Sequence, residues 1–278
     1  MAPNISVTHA TFALPSSASL FAQSWTPVSE LLGTIGIVHG LGEHSGRYTQ
    51  FAEQLARAGF RVVAYDQRGH GRTSGKRGDA PSYEVLLDDI AALIAVLAAE
   101  EAGLPKYLFG QSLGGNLVLN FALRRRSNLI GIIASSPFLL PTNPPPRWKR
   151  CAARLLARTY PSFQFRTGVQ AEDLSHDAAV VATYKADPLV HDLVSARVAV
   201  AMFDAGQWAL DHASELTLPA LLLHGTADPI TSPDATIEFA QRAGHACTLR
   251  TFADLYHELH WERERAMAFN TVLDWLNR

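Results

Sequence analysis

Cysteine is scarce: Cys151 and Cys247 are the only two in 278 residues, too few for a disulfide framework and simplest to read as free thiols in a reducing compartment. Strong net charge is missing too. Twenty-four basic and 26 acidic residues leave a formal charge of −2, which gives no global attraction to nucleic acid. Long apolar runs are also lacking. Ile90–Ala99 and Ile132–Leu140, the second broken by Ser135, Ser136 and Pro137, fall short of the ~20 residues of a spanning helix. No lysine or arginine precedes Arg47, so the basic region of a secretory signal is absent. Apolar residues, by contrast, make up 47% of the chain against 18% charged, ample for a core and incompatible with disorder. The expectation is a soluble, cytoplasmic globular protein with no transmembrane segment and no nucleic-acid partner.

Two short strands, roughly Ser6–Leu14 and Ser19–Trp25 around the turn Pro15-Ser16-Ser17, open the chain. The rhythm then changes. Thr34–Val38 is a continuous apolar run, as expected of a strand covered on both faces. A helix over Tyr48–Ala58 closes at Gly59, and a strand follows at Phe60–Tyr65. Helix Tyr83–Ala99, strand Tyr107–Phe109, helix Leu113–Leu123 and strand Leu129–Ala134 continue the alternation. Strand and helix in turn imply an α/β fold with a mainly parallel sheet and right-handed crossovers.

The alternation stops at the breaker-rich Pro137–Pro146, and Arg147–Leu216 reads as helical or irregular with no clear strand. It resumes with strands at Pro219–Leu223 and Thr248–Phe252 and a closing helix near Glu262–Asn277. The chain thus divides into a core segment 1–136, a helical insertion 137–216 and a second core segment 217–278. Between Ala102 and Ala171 there is no acidic residue but ten basic ones, and Arg150, Arg154 and Arg158 share a helix face beside Trp148 and Leu155. Two readings stand: an ordinary solvated face, or a basic amphipathic lid that touches lipid surfaces or an acidic substrate.

Gly110-Gln111-Ser112-Leu113-Gly114 lies between a strand and a helix. A sharp turn there exposes the serine hydroxyl above the sheet edge, and small flanking residues keep the turn free of collisions. A serine needs a base to take its proton, and the base needs a third group to orient it. In this architecture the chain order is serine, acid, histidine. Asp228, in His224-Gly-Thr-Ala-Asp-Pro229, and His257, in Tyr256-His-Glu-Leu-His260, both follow strands and satisfy that order. His260 competes with His257 as the base, and Asp228 could instead be a turn residue. Asp234 reads better as a helix cap. The oxyanion donors should be the backbone N–H groups of Leu113 and of Leu41, in the loop His39-Gly-Leu-Gly-Glu43. His39 and the loop Asp66–Gly71 read as scaffold.

At this point the chain resembles the monoacylglycerol lipases and lysophospholipase-like esterases of the α/β-hydrolase superfamily. The resemblance rests on His39-Gly-Leu-Gly-Glu-His-Ser-Gly-Arg-Tyr48, Asp66-Gln-Arg-Gly-His-Gly71, Gly110-Gln-Ser-Leu-Gly-Gly115, Tyr184-Lys-Ala-Asp-Pro-Leu189, His224-Gly-Thr-Ala-Asp228 and Tyr256-His-Glu-Leu-His260. It implies an α/β-hydrolase fold with a helical lid, a Ser112–Asp228–His257 triad, and no metal or cofactor. It also implies a substrate-binding pocket for a glycerol head at Glu43, Arg47, Tyr184 and His260; the other reading of Glu43 and Arg47 is a structural ion pair. Some eukaryotic members carry cysteine three residues after the acid, where this chain has Thr231. The implied activity is hydrolysis of monoacylglycerol or a similar single-chain ester. Lysophospholipase, general short-chain esterase, acyltransferase or thioesterase activity, and a non-catalytic binding protein on the same fold are the other readings.

Overall fold

The computed structural model describes residues 6–28, 30–100 and 103–278. In chain order its elements are β1 (Val7–Pro15), β2 (Ser19–Pro27), β3 (Gly33–Val38), α1 (Thr49–Arg57), β4 (Phe60–Tyr65), α2 (Tyr83–Glu100), β5 (Lys106–Gln111), α3 (Leu113–Arg124) and β6 (Gly131–Ser135). They continue with α4 (Arg147–Thr159), β7 (Gln164–Arg166), α5 (Ala178–Ala186), β8 (Leu193–Ser195), α6 (Ala196–Asp211), β9 (Ala220–Gly225), α7 (Pro233–Ala243), β10 (Cys247–Phe252) and α8 (Arg265–Leu276).

Eight strands form one sheet in the order β1-β2-β4-β3-β5-β6-β9-β10. β1, β2 and β4 pair antiparallel, and every later pairing is parallel. The expected α/β-hydrolase fold is therefore what the chain adopts. β3, β4, β5, β6 and β9 are buried along their whole length, which explains their largely apolar sequence, with Arg61, Lys106 and Gln111 among the buried polar exceptions. Their side chains still alternate. Leu221 and Leu223 of β9 join Phe51, Leu55 and Val272 on the face covered by α1 and α8, whereas Leu222 joins Leu87, Leu117 and Phe239 under α2, α3 and α7. Two apolar layers thus clamp the sheet, and its carboxyl edge is left to the loops that follow β3, β5, β9 and β10.

The segment between β6 and β9 differs from the expectation in one respect. Gln164–Arg166 and Leu193–Ser195 pair antiparallel as a small separate sheet. Three residues per strand, polar at Gln164 and Arg166, carry too short a pattern to register as period-2 alternation. Within the segment, α6 is the anchored helix: Asn116 and Asn120 of α3 donate side-chain N–H bonds to Met202 O and Ala205 O, both at 3.2 Å. By contrast α4 buries no residue, and Trp148 and Leu155 remain exposed.

Two helix starts also shift. The last helix begins at Arg265 rather than near Glu262, because the Glu262 carboxylate is committed to the loop before it. The cap of α7 is Ser232, whose side chain accepts from Ala235 N–H, while Asp234 sits in the first turn.

Candidate active site

Ser112 joins β5 to α3 with φ of 54° and ψ of −114°, a left-handed conformation that costs a non-glycine residue about 1–3 kcal/mol. The fold holds it there at three points: Ser112 N–H donates to Ser135 O (3.0 Å), while Ser112 O accepts from Asn116 N–H (2.9 Å) and Phe138 N–H (3.0 Å). The flanking glycines are steric necessities. A β-carbon on Gly110 would stand 2.5 Å from Gly114 C, and one on Gly114 would stand 2.6 Å from Val38 C and 2.7 Å from His39 O. Close contact at Gly114 brings the elbow against the end of β3. The loop beyond β3 then lies on the serine itself: a β-carbon on Gly40 would be 3.3 Å from Ser112 Cβ.

Leu41, the next residue, has an N–H with no hydrogen-bond partner among the described residues. Leu113 opens α3, and a first-turn N–H has no acceptor one turn back. Both predicted oxyanion donors therefore have uncommitted N–H groups beside the serine.

Asp228 and His257 meet directly. His257 Nδ1 lies 2.7 Å from Asp228 Oδ2, and both side chains are buried. Asp228 does not choose between turn and partner: its Oδ1 accepts from Ile230 N–H (2.8 Å) and Thr231 N–H (3.0 Å), and its Oδ2 faces His257. Thr231 Oγ1 donates to the same Oδ2 at 2.7 Å. Burial alone would raise the Asp228 pKa, but the charge and hydrogen bonds of His257 and His224 hold it far below the ordinary carboxylate range. For His257 the balance runs the other way. Burial lowers its pKa, but Asp228, joined by the charges of Glu258 and Glu43, outweighs that, and the net direction is upward. With Nδ1 donating to the carboxylate, Nε2 is the basic nitrogen.

The four residues of the expected glycerol pocket divide into two kinds. Glu43 is fully used: Oε1 accepts from Gly40 N–H (2.6 Å) and Tyr48 Oη (2.7 Å), and Oε2 accepts from Arg47 Nε (3.1 Å). Arg47 also donates from Nη2 to Glu258 at 2.5 Å, and its guanidinium lies over the Tyr184 ring, 4.6 Å from the centroid. Burial raises the Glu258 pKa, as does the charge of Glu43, against the pull of Arg47. His260 is different. It stacks on Tyr48 at 4.8 Å, and both buried ring nitrogens lack a hydrogen-bond partner. Burial pushes its pKa down to about 3, so it is neutral, with a donor and an acceptor unpaired. Of the two candidate bases, His257 contacts Asp228 and, among the described residues, His260 does not.

Three contributors escaped sequence reasoning: His224, Glu258 and Glu262. His224 Nε2 is 3.0 Å from Asp228 Oδ2, a contact its position at the end of β9, four residues before the acid, could have suggested. Glu262 accepts from Tyr256 N–H (2.8 Å), His176 N–H (3.0 Å) and Ser175 Oγ (3.0 Å). It thereby ties the inserted segment to the His257 loop. A second tie joins that segment to the oxyanion loop, through His191 N–H to Gly42 O (2.8 Å) and His44 Nε2 to Asp187 Oδ2 (2.9 Å). The scaffold readings of His39 and Asp66 also agree with their bonds: His39 Nε2 accepts from Gln67 N–H (2.9 Å) and Asp66 Oδ1 from Ser45 N–H (2.8 Å).

The loops after β3 and β5 so meet at Ser112, and those after β9 and β10 meet in a buried histidine–carboxylate pair. Fold and site together make the chain a serine hydrolase of the α/β-hydrolase class. Comparison with known proteins narrows this. Residues 29–264 match the family described as Serine aminopeptidase, S33. The monoacylglycerol lipase of Mycolicibacterium smegmatis is 31% identical over 254 residues, 91% of this chain and 90% of its own. An uncharacterized abhydrolase domain-containing protein of Dictyostelium discoideum is 36% identical over 261 residues, where this chain spans 28% of the relative's length. Among solved structures, the monoacylglycerol lipase of Paleococcus ferrophilus has a TM-score of 0.82 at 34% identity, with 98% of each chain covered. The chain belongs to the S33 family and, within it, groups with the monoacylglycerol lipases.

Proposed function

We propose that this protein is a serine carboxylester hydrolase that cleaves monoacylglycerols to fatty acid and glycerol through an acyl-enzyme on Ser112. The observation that carries the reading is a strained Ser112 seated against the Gly40–Leu41 loop, with His257 fixed by Asp228. His257 Nε2 takes the Ser112 Oγ proton as Oγ attacks the ester carbonyl, and the Leu41 and Leu113 N–H groups hold the oxyanion. The alkoxide of glycerol leaves with that proton. Water, deprotonated by His257, then attacks the acyl-enzyme, and the fatty acid departs as the proton returns to Ser112. These steps run entirely on protein groups and water.

A cavity of about 350 Å³, lined by Tyr83, Leu86, Leu113, Ala157, Val198 and Met202 among others, borders Leu113. Its size and apolar walls suit a single acyl chain. Outside that cavity, His260 has two ring nitrogens with unmet hydrogen-bonding capacity among the described residues, and a polyol supplies both a donor and an acceptor to it. In this reading Glu43 and Arg47 buttress the loop, and Tyr184 covers Arg47 at the edge of the head-group site. Residues 137–216 form the lid.

The exposed Trp148 and Leu155, set among Arg147, Arg150 and Arg154 on α4, give that lid an amphipathic face for transient contact with lipid surfaces. No helix among the described residues is long and apolar enough to cross a membrane. A cytoplasmic location is part of the same proposal, on the strength of two unpaired cysteines.

The test is fatty-acid release from 1-oleoylglycerol beside trioleoylglycerol, lysophosphatidylcholine and p-nitrophenyl butyrate, for the wild type and Ser112→Ala. Preference for the monoacylglycerol, lost in the variant, is expected. Turnover of p-nitrophenyl butyrate alone would reduce the protein to a general esterase, and preference for lysophosphatidylcholine would make it a lysophospholipase.

A further inference from the structure

Asp228 Oδ2 serves two imidazoles. His257 Nδ1 lies 2.7 Å from it, and His224 Nε2 approaches at 3.0 Å from the end of β9, with neither histidine open to solvent. The tautomer of His224 follows from its neighbours. Its Nε2 also faces a second acceptor, Thr231 O at 3.1 Å, so Nε2 carries the proton. Its Nδ1 then accepts from Thr236 Oγ1 at 2.8 Å, a hydroxyl buried on α7. A chain of hydrogen bonds therefore runs from α7 through His224 and Asp228 to His257. Nothing in the proposed reaction requires the first half of it.

We infer that His224 is a positioning residue for this site: by donating to the oxygen that His257 uses, it limits how tightly Asp228 can hold the imidazolium. The inference rests on the serine-nucleophile reading above. Each donor on Oδ2 draws electron density from that oxygen and weakens it as an acceptor for the others. Removing the His224 donor leaves Asp228 a stronger partner for protonated His257. His257 then keeps its proton to higher pH, and less free base is available to Ser112. The other ionisable groups that face His257 are Glu258 and His260 on its own loop and Glu43 on the oxyanion loop, both carboxylates being paired with Arg47. None of these touches His224, so a change at position 224 reaches His257 through Asp228.

The experiment is the pH dependence of kcat/KM on p-nitrophenyl butyrate for the wild type, His224→Leu and His224→Gln, with thermal unfolding of each. His224→Leu fills the space without a donor, and His224→Gln restores an N–H at similar reach. The acid-limb midpoint is expected to rise by about half a pH unit in the Leu variant, which costs about threefold in kcat/KM below the midpoint. In the Gln variant it should return toward the wild-type value. A folded His224→Leu with an unmoved midpoint would overturn the inference and leave His224 a packing residue. Should His224→Leu fail to fold, Thr236→Val removes the hydroxyl that fixes the tautomer, and a smaller shift in the same direction is expected; no shift there overturns the inference equally. Retained turnover in Ser112→Ala would instead strike at the nucleophile reading, independently of His224.

Discussion

Gly114→Ala is the substitution in which the geometry makes its sharpest demand. The added methyl would collide with Val38 O and stand 2.6 Å from Val38 C and 2.7 Å from His39 O, where ordinary contacts begin at 3.4 Å. Either α3 or the end of β3 must therefore retreat by at least about 0.8 Å. Both are main chain locked in the sheet or a helix, so no rotamer change relieves the clash. Overpacking of this kind costs about 1–3 kcal/mol, which lowers Tm by a few degrees up to about 10 °C in a chain of this size. The same retreat separates the two oxyanion donors, because Leu113 rides on α3 and Leu41 follows His39. Misplacement near 1 Å costs about 10²-fold in rate, so kcat/KM for p-nitrophenyl butyrate should fall about a hundredfold while far-ultraviolet circular dichroism stays unchanged. Labelling of Ser112 by a fluorophosphonate should slow in parallel. A variant that unfolds and labels like the wild type would refute the packing argument and, with it, the placement of the oxyanion loop against the elbow.

His260→Ala should raise KM for 1-oleoylglycerol more than for p-nitrophenyl butyrate, since the unmet ring nitrogens meet only a hydroxylated leaving group; equal losses on both would mark His260 as structural. In the wild type, the acid limb of kcat/KM should have its midpoint above the ordinary histidine value of 6.5, because Asp228 together with Glu258 and Glu43 outweighs burial at His257. The stabilising contribution of His257 is complete below 6.5 and is lost as pH rises through its folded value, whereas that of Asp228 is present above 3.8 and is lost only as pH falls far below it. Thermal unfolding from pH 4 to pH 9 checks the first sign, and its extension down to pH 2 checks the onset of the second. Glu262→Ala strands the Tyr256 and His176 N–H groups and should cost about 1–3 kcal/mol, with faster proteolysis of the inserted segment as the readout of a lost tie.

How much could be read in advance depended on range. The parallel strands were legible because burial on both faces forces an unbroken apolar run, as in Leu221-Leu222-Leu223. Ser112 and Asp228 were legible as candidates because each stands just past such a run, and His257 because it follows the strand Cys247–Phe252 in the required chain order. The β7–β8 pair was hidden by its brevity, and the start of α8 by the commitment of Glu262 to a loop. His224, Glu258 and Glu262 were invisible for another reason. Their partners are Asp228, Arg47 and the backbone of Tyr256 and His176, and nothing in local periodicity says which way a buried polar side chain turns. The two readings of Glu43 and Arg47 were likewise inseparable until both carboxylate oxygens could be assigned.

Those hidden contacts follow one physical rule. A loop that leaves a parallel sheet loses its ladder partners, and its buried N–H groups must be satisfied some other way. Here each of the loops that carry the other site residues is braced by a carboxylate: Glu43 at Gly40 N–H and Asp66 at Ser45 N–H beyond β3, Asp228 at Ile230 and Thr231 N–H beyond β9, and Glu262 at Tyr256 N–H beyond β10. Hydrogen bonds to a charged group contribute about 1.5–3 kcal/mol each, so the spacing between loops is fixed by these acids as much as by the strands. Three of the four make no hydrogen bond with His257 among the described residues. Asp228 is the exception, since the carboxylate that braces its own turn also holds His257, and its brace and its chemistry cannot be altered separately. Replacing Asp228 by asparagine therefore tests both at once, whereas Glu262 lets the brace be removed while the histidine–carboxylate pair stays whole.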